Sequence, residues 1–207
     1  MDYLPGFLPA YSILLVAVLS PGPAVAMLLG VALSRGRASA VIASVGVATG
    51  AATLAALTLA GVGLVIQQAA WAITILRLIG AAYLAWLACG AFRKAIHPPR
   101  VTAADMPPLS APRAFAAGYL MQITNPKAIV FWIAIASVGA TQGAPAHVVA
   151  LFLFGAFAIS LTGHGAYALA LSAPPVRTLY GRARRGIEAT LGVLFTLFAI
   201  RLATARS

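Results

Sequence analysis

Long apolar runs alternate along the chain with short polar segments. A helix needs about 20 mainly apolar residues to cross the hydrocarbon core of a bilayer. Six runs reach roughly this length, at positions 7–33, 39–66, 71–92, 114–139, 147–172 and 187–205. The pattern predicts an all-α integral membrane protein with six transmembrane helices, whose main surroundings are the lipid bilayer.

Composition strengthens this prediction. Of the 207 residues, 62% are hydrophobic and only 8% are charged, whereas soluble domains carry roughly 25% charged residues. A water-soluble fold of this length could not bury so much apolar surface. The net charge of +11 would suggest a nucleic-acid partner in a soluble protein. Here the basic residues lie between apolar runs, so we predict that they set membrane orientation and that no nucleic acid is bound.

The basic residues collect on one predicted side of the membrane. Cytoplasmic loops carry an excess of Lys and Arg, and ten of the fourteen basic residues fall in the first, third and fifth loops. The opposite side has Arg206, with Arg201 close to it. We therefore expect these three loops in the cytoplasm and both termini in the periplasm. The ten residues are Arg35, Arg37, Arg93, Lys94, Arg100, Arg113, Arg177, Arg182, Arg184 and Arg185.

A proline-rich segment divides the single predicted transporter domain into two halves. Repeat one covers 1–95, a cytoplasmic linker covers 96–113, and repeat two covers 114–207. Each half holds three spans, and an odd number gives two homologous halves opposite orientations. The prediction is therefore two inverted-topology three-helix repeats, each with a broken first helix.

Both first spans contain proline near the membrane midplane, at Pro21-Gly22-Pro23 and at Asn125-Pro126-Lys127. Proline removes a backbone N–H and disrupts the preceding helical turn. Inside a bilayer, broken backbone is tolerated only where it faces protein or a wet cavity. Two interrupted helices at matching positions of inverted halves are a pointer to a transporter's binding site. Two ordinary packing kinks are the alternative.

Lys127 is the most informative single residue. A lysine at the centre of a membrane helix costs about 2.5–3.5 kcal/mol on insertion scales and usually lines a substrate or ion path. It could bind a substrate carboxylate, or it could cap the end of a broken helix. Glu188, at the cytoplasmic edge of the last span, is expected to pair with Arg184 or Arg185.

Three further side chains are candidates. His164 could relay protons or form a hydrogen bond between helices. Arg77 could belong to the site or extend outward to the interface, and Tyr83 could shape the pocket or only pack. The Gly46-xxx-Gly50 spacing favours close helix contact. The histidines are scattered and the one cysteine lies in an apolar run, so neither a metal site, a cofactor nor an enzyme's catalytic group is predicted.

Taken together, these motifs resemble the LysE/RhtB family of amino-acid exporters over nearly the whole chain. The resemblance rests on Pro21-Gly22-Pro23, Gly46-xxx-Gly50, Arg77 with Gly80-Ala81-Ala82-Tyr83-Leu84, and Asn125-Pro126-Lys127-Ala128. It implies secondary-active, proton-coupled efflux of a small amino acid or derivative across the bacterial inner membrane, without a cofactor. It implies a substrate site at Pro21–Pro23, Asn125–Lys127 and Tyr83, with His164 and Arg77 as a relay or supporting groups.

Two positions depart from the family pattern. The family often has Asp or Asn after Pro-Gly-Pro, where this chain has Ala24, and an acidic or amide residue after the second glycine, where it has Ala51. Their absence argues against a lysine-like dication as substrate. Export of a divalent metal or another small solute, a membrane enzyme and an assembly subunit are the alternatives, and the glycine-rich faces allow a homodimer.

Overall fold

The computed structural model describes residues 3–68, 70–98 and 108–204. Within them the chain forms helices and no strand, which confirms the all-α prediction for this part of the chain. The helices are α1 (Leu4–Leu19), α2 (Pro23–Arg35), α3 (Arg37–Gln68), α4 (Ala70–Ile96), α5 (Ala111–Ile123), α6 (Pro126–Ser137), α7 (Ala146–Ala170) and α8 (Pro174–Thr204).

Both predicted helix breaks are present. The run 7–33 is divided into α1 and α2, which are bent by 42° with respect to each other. The run 114–139 is divided into α5 and α6. Proline lies in the first turn of α2 and of α6, where its missing N–H costs nothing and its fixed φ favours a new helix. The prolines therefore end one helix and begin the next.

By length and apolar composition, two helices could cross a membrane alone. They are the Arg37–Gly61 part of α3 and the whole of α7. The bent pair of α1 and α2 counts as a third span if its two helices are taken together, and α6 is a shorter apolar helix. The described residues thus contain two or three clear spans.

Two of the predicted loops are shorter than the sequence suggested. Only Gly36 separates α2 from α3, and its φ of +85° is a conformation that glycine adopts without a steric penalty. The segment 173–186, predicted as a cytoplasmic loop, is helical from Pro174 onwards. Its proline suits a first helical turn, and its arginines are good helix formers. Most of the predicted linker 96–113 lies outside the described residues.

The packing between α3 and α5 depends on glycines. A Cβ atom on Gly46 would collide with the Phe115 carbonyl oxygen, and one on Gly118 would collide with the Ala43 carbonyl oxygen. A Cβ on Gly50 would lie 2.9 Å from Cβ of Gln122. The close contact predicted from Gly46-xxx-Gly50 is therefore confirmed, and it brings α5 against the middle of α3. Extensive contacts also join α4 to α8 and α3 to α7.

Candidate functional site

The two helix breaks meet at one small cavity. Its polar wall is formed by Ser20 and Gly22 from the first break, Gln122, Asn125 and Lys127 from the second, and His164 from α7. Ser160 of α7 and apolar side chains from α1, α2, α3 and α6 complete the lining. In this conformation the cavity has room for on the order of three water molecules. The site therefore combines both halves of the chain.

Lys127 caps the C-terminal end of α1 at the first break. Its ammonium donates hydrogen bonds to the carbonyl oxygens of Ala17 at 3.1 Å and Ser20 at 2.7 Å, and to the Ser20 hydroxyl. The last carbonyls of a helix lack partners within the helix, and the helix dipole favours a cation there. In this conformation all three ammonium protons therefore serve α1, which is the capping role considered from the sequence.

The surroundings of the Lys127 ammonium are aromatic on its other side. Its Nζ lies 5.8 Å from the ring centroid of Phe131 and 5.9 Å from that of Phe195, within the range of a cation–π interaction. The side chain is 7% exposed. A buried cation is thus held by carbonyl dipoles and aromatic rings.

A second side chain from the other half supports the same helix end. The Tyr167 hydroxyl donates to the Leu19 carbonyl oxygen at 2.5 Å. The carbonyls of Ala17, Leu19 and Ser20 are therefore all bonded by side chains of α6 and α7. The end of α1 depends on contacts between the two halves of the chain.

The starts of the two new helices differ. At α6, the side-chain oxygen of Asn125 accepts a 3.1 Å hydrogen bond from the Lys127 backbone N–H, as an N-cap residue does. At α2 the N-cap is Gly22, which has no side chain to cap the helix, and Pro23 has no N–H. The N–H groups of Ala24 and Val25 make no hydrogen bond among the described residues. They are two free donors at the cavity wall.

Gly22 allows Lys127 to approach the first break. A Cβ atom at this position would lie 3.0 Å from the Lys127 Nζ and 3.1 Å from its Cδ. Any larger residue would push the lysine away from α1.

His164 presents one ring nitrogen to a fixed partner. Its Nδ1 lies 3.0 Å from the Ser160 carbonyl oxygen and 3.2 Å from the Ser160 hydroxyl. A carbonyl can only accept, so Nδ1 carries the proton and Nε2 is the acceptor in the neutral ring. No described residue bonds to Nε2.

Gln122 is a site residue that sequence reasoning missed. Its side chain is 6% exposed, and its Oε1 is buried without a hydrogen-bond partner among the described residues. Ser20 and Ser160 were also missed. The sequence signal that could have found them is a polar residue in an apolar span, three or four residues from a predicted site residue and so on the same helix face. Gln122 precedes Asn125 by three residues, and Ser160 precedes His164 by four.

Several predicted residues lie away from the cavity wall. Pro21, Pro23 and Pro126 form the breaks but are not among the lining residues. Tyr83 is also absent from the lining, and its ring lies 5.2 Å from that of Trp86 on the same helix. Arg77 belongs to α4, but its side chain lies outside the described part of the structure.

The two departures from the family pattern both fall on the cavity. Ala24 and Ala51 are buried and line it, so small methyl groups take the place of carboxylates or amides there. Glu188 is buried on α8 outside the lining. Its carboxylate lies 3.9 Å from Nε of Arg184, which confirms the predicted pairing.

Comparison with known proteins gives a consistent result. The family model described as LysE type translocator matches residues 15–206. The threonine efflux protein of Escherichia coli K12 is 30% identical over 208 residues, which cover 97% of this chain and 98% of that protein. The threonine efflux protein of Salmonella typhi is 31% identical over 209 residues, with the same coverage. An uncharacterized membrane protein of E. coli K12, YahN, is 30% identical over 148 residues, or 70% of this chain and 66% of that protein. No solved structure gives a significant match.

Proposed function

The chain belongs to the LysE-type translocator family, and we propose that it exports a small, neutral amino acid or a derivative of one across the bacterial inner membrane. Family membership and two relatives named threonine efflux protein support amino-acid export. Ala24 and Ala51 on the cavity wall favour a solute without a second positive charge, because neither position supplies a carboxylate that could pair with that charge. The fitting role is transport and not catalysis.

The observation that carries the proposal is the cavity where both breaks meet. It lies between the halves, and its wall includes Gly22 and Ser20 from one and Asn125 and Lys127 from the other. Transporters with inverted repeats bind substrate at such a place, between discontinuous helices, and rock one half against the other around it. We assign the substrate site to Pro21–Pro23 and Asn125–Lys127.

The proposed arrangement has six membrane crossings in two inverted repeats. The pair α1 and α2, with α3 and α4, forms the first repeat, and the pair α5 and α6, with α7 and α8, forms the second. The equivalent helices of the two repeats are neighbours, since α3 packs on α7 and α4 on α8. The Lys and Arg bias supports both termini in the periplasm.

Lys127 links binding to movement in this proposal. Its three hydrogen bonds join α6 to the end of α1, and each bond from a charged group contributes about 1.5–3 kcal/mol. A substrate carboxylate competes with the α1 carbonyls for the same ammonium. Exchange of these bonds changes the contact between the halves by a few kcal/mol, which is the size of the gap between two conformers of a protein.

Coupling to protons extends the proposal. His164 lines the same cavity, and its Nε2 is free to accept a proton there. We assign it the relay, with Arg77 and Tyr83 as supporting groups on α4.

A divalent-metal exporter of the same superfamily is the alternative solute class. Hard cations require several oxygen ligands. Among residues 3–68, 70–98 and 108–204, no group of three or more His, Cys, Asp and Glu side chains comes together.

The test is efflux from proteoliposomes loaded with radiolabelled L-threonine and with each other amino acid in turn. We expect saturable efflux of at least one small neutral amino acid, and loss of that efflux in Lys127→Ala. Lys94→Ala, which alters the chain's other lysine at an exposed position, is the matched control and retains efflux. Wild-type efflux rates in Lys127→Ala would contradict the assigned role, and no efflux of any amino acid by the wild type would contradict the function.

A further inference from the structure

We infer that Gln122 and His164 form an ammonium-binding subsite, and that the start of α2 binds the carboxylate of the same amino acid. This inference rests on the proposed function and adds to it the direction in which the substrate lies. Gln122, His164 and the first residues of α2, Ala24 and Val25, all line one cavity.

Gln122 supplies the first acceptor. Buried polar groups in native proteins are nearly always hydrogen-bonded, and one that is not requires an explanation. Oε1 of Gln122 is buried and unpartnered among the described residues. The side chain is fixed from behind, because Gly50 of α3 packs directly on its Cβ and Cγ. A ligand that donates a hydrogen bond to Oε1 supplies the partner that this buried acceptor lacks.

His164 supplies the second acceptor. The Nδ1–H of His164 donates to the Ser160 carbonyl oxygen at 3.0 Å, so Nε2 of the neutral ring carries a lone pair. An ammonium group has three N–H donors and no acceptor. Two neutral acceptor atoms, Oε1 of Gln122 and Nε2 of His164, therefore match the N–H donors of an ammonium.

The start of α2 supplies the opposite pole. A helix N-terminus with free N–H groups favours an anion, and α2 is 13 residues long. The free N–H groups of Ala24 and Val25 have no side-chain cap to compete with a ligand. The methyl group of Ala24 also leaves this place open, where an acidic residue would repel a carboxylate.

Lys127 adds positive charge on the same side. Its Nζ would lie 3.0 Å from a Cβ at Gly22, so the ammonium is adjacent to the N-cap of α2. The positive groups of the cavity wall are therefore those of α2 and Lys127, and its unpartnered acceptors are those of Gln122 and His164. A zwitterion with a small side chain fits this polarity, and a second cationic group finds no carboxylate.

Three probes separate the two poles. L-Threonine has both charged groups, threoninol lacks the carboxylate, and 3-hydroxybutyrate has no donor in place of the amine. Binding to the purified full chain in detergent is measured by titration calorimetry. In Gln122→Met, which keeps the length and removes the acceptor, we expect threonine and threoninol to bind about tenfold more weakly. Binding of 3-hydroxybutyrate stays unchanged.

Gln142→Met is the matched control, because Gln142 is exposed in the turn after α6, and it leaves all three affinities unchanged. Gln122→Glu keeps an acceptor and is the second variant, needed if Gln122→Met does not fold. It is expected to retain threoninol binding and to weaken 3-hydroxybutyrate binding.

The possible outcomes are distinct. An equal loss for all three probes in Gln122→Met, or no loss for threonine, overturns the ammonium subsite alone. Weaker threoninol binding in Gln122→Glu overturns it as well. If the wild type binds and exports another amino acid but not threonine, the proposed subsite for threonine is wrong, whereas the proposed function is retained. A wild type that exports no amino acid overturns the proposed function.

Discussion

The two helix breaks look alike in sequence but are stabilised in different ways. The second break is satisfied locally. Asn125 caps α6, the Thr124 backbone N–H bonds to the Leu120 carbonyl oxygen, and the Asn125 N–H bonds to that of Gln122. The first break has local hydrogen bonds from Ser20 to the Val16 and Ala17 carbonyl oxygens, but it also relies on the opposite half. Lys127 and Tyr167 bond the end of α1, and the start of α2 has no side-chain cap.

This difference indicates which break responds to a ligand. A break that satisfies its own backbone groups keeps its shape whatever happens nearby. A break held by side chains from other helices changes when those side chains find another partner. We therefore expect the first break to be the moving part and the second to be the rigid one that carries Lys127.

The largest effect is expected from Lys127→Met, which removes the support of the first break. The change leaves the Ser20 carbonyl without its side-chain partner, whereas the Ala17 carbonyl keeps the Ser20 hydroxyl at 3.0 Å. A buried acceptor left unpaired costs about 1–3 kcal/mol. We expect the free energy of unfolding to fall by about 2–3 kcal/mol and efflux to be lost. Unfolding by denaturant in detergent micelles measures the first effect.

Lys94→Met is the control for this prediction, since Lys94 is exposed, and it is expected to change stability little. Unchanged stability of Lys127→Met would mean that the end of α1 finds other partners and that the first break does not depend on the second half.

An intermediate effect is expected from Gly22→Ala, which acts on the first break from its own side. The new Cβ lies 3.0 Å from the Lys127 Nζ, closer than side-chain contacts normally come, so the ammonium must shift away from α1. We expect a loss of about 1–2 kcal/mol, within the range for overpacking, and efflux reduced about tenfold.

Gly30→Ala, inside α2, has no atom within 4 Å of the new Cβ and is the control. We expect it to retain wild-type efflux. Equal behaviour of the two variants, measured in the same efflux assay, would mean that the contact between Gly22 and Lys127 is unimportant.

The fold was predictable from sequence where proline and apolar length decide it. The two breaks and the close contact at Gly46 and Gly50 follow from local chemistry. The helical start of α8 at Pro174 was not predictable, because the composition of an arginine-rich segment is compatible with both a polar loop and a water-exposed helix. The six crossings and their inverted arrangement stay predictions.

The site was predictable only in part. Asn125, Lys127 and His164 are polar residues in apolar spans, and the structure places all three on the cavity wall. Gln122 was missed because a lone amide in a span is not by itself a motif. Its importance depends on an unpaired oxygen, which no sequence pattern encodes. Tyr83 was selected as an aromatic side chain that could shape the pocket, and in the structure its ring lies beside that of Trp86 on the same helix.

The smallest effect is expected from Asn125→Ala, which acts on the second break. The variant loses one N-cap hydrogen bond to the Lys127 N–H, and loss of an N-cap costs about 1 kcal/mol. Because the break keeps its other backbone hydrogen bonds, α6 should still begin at Pro126 and hold Lys127 against α1. We expect a lower unfolding temperature and a smaller loss of efflux than in Gly22→Ala, and Asn125→Ser, which can also cap a helix, should recover most of the stability. A loss of efflux in Asn125→Ala as large as that in Gly22→Ala would show that the second break also moves with the ligand, and the contrast between the breaks would then be lost.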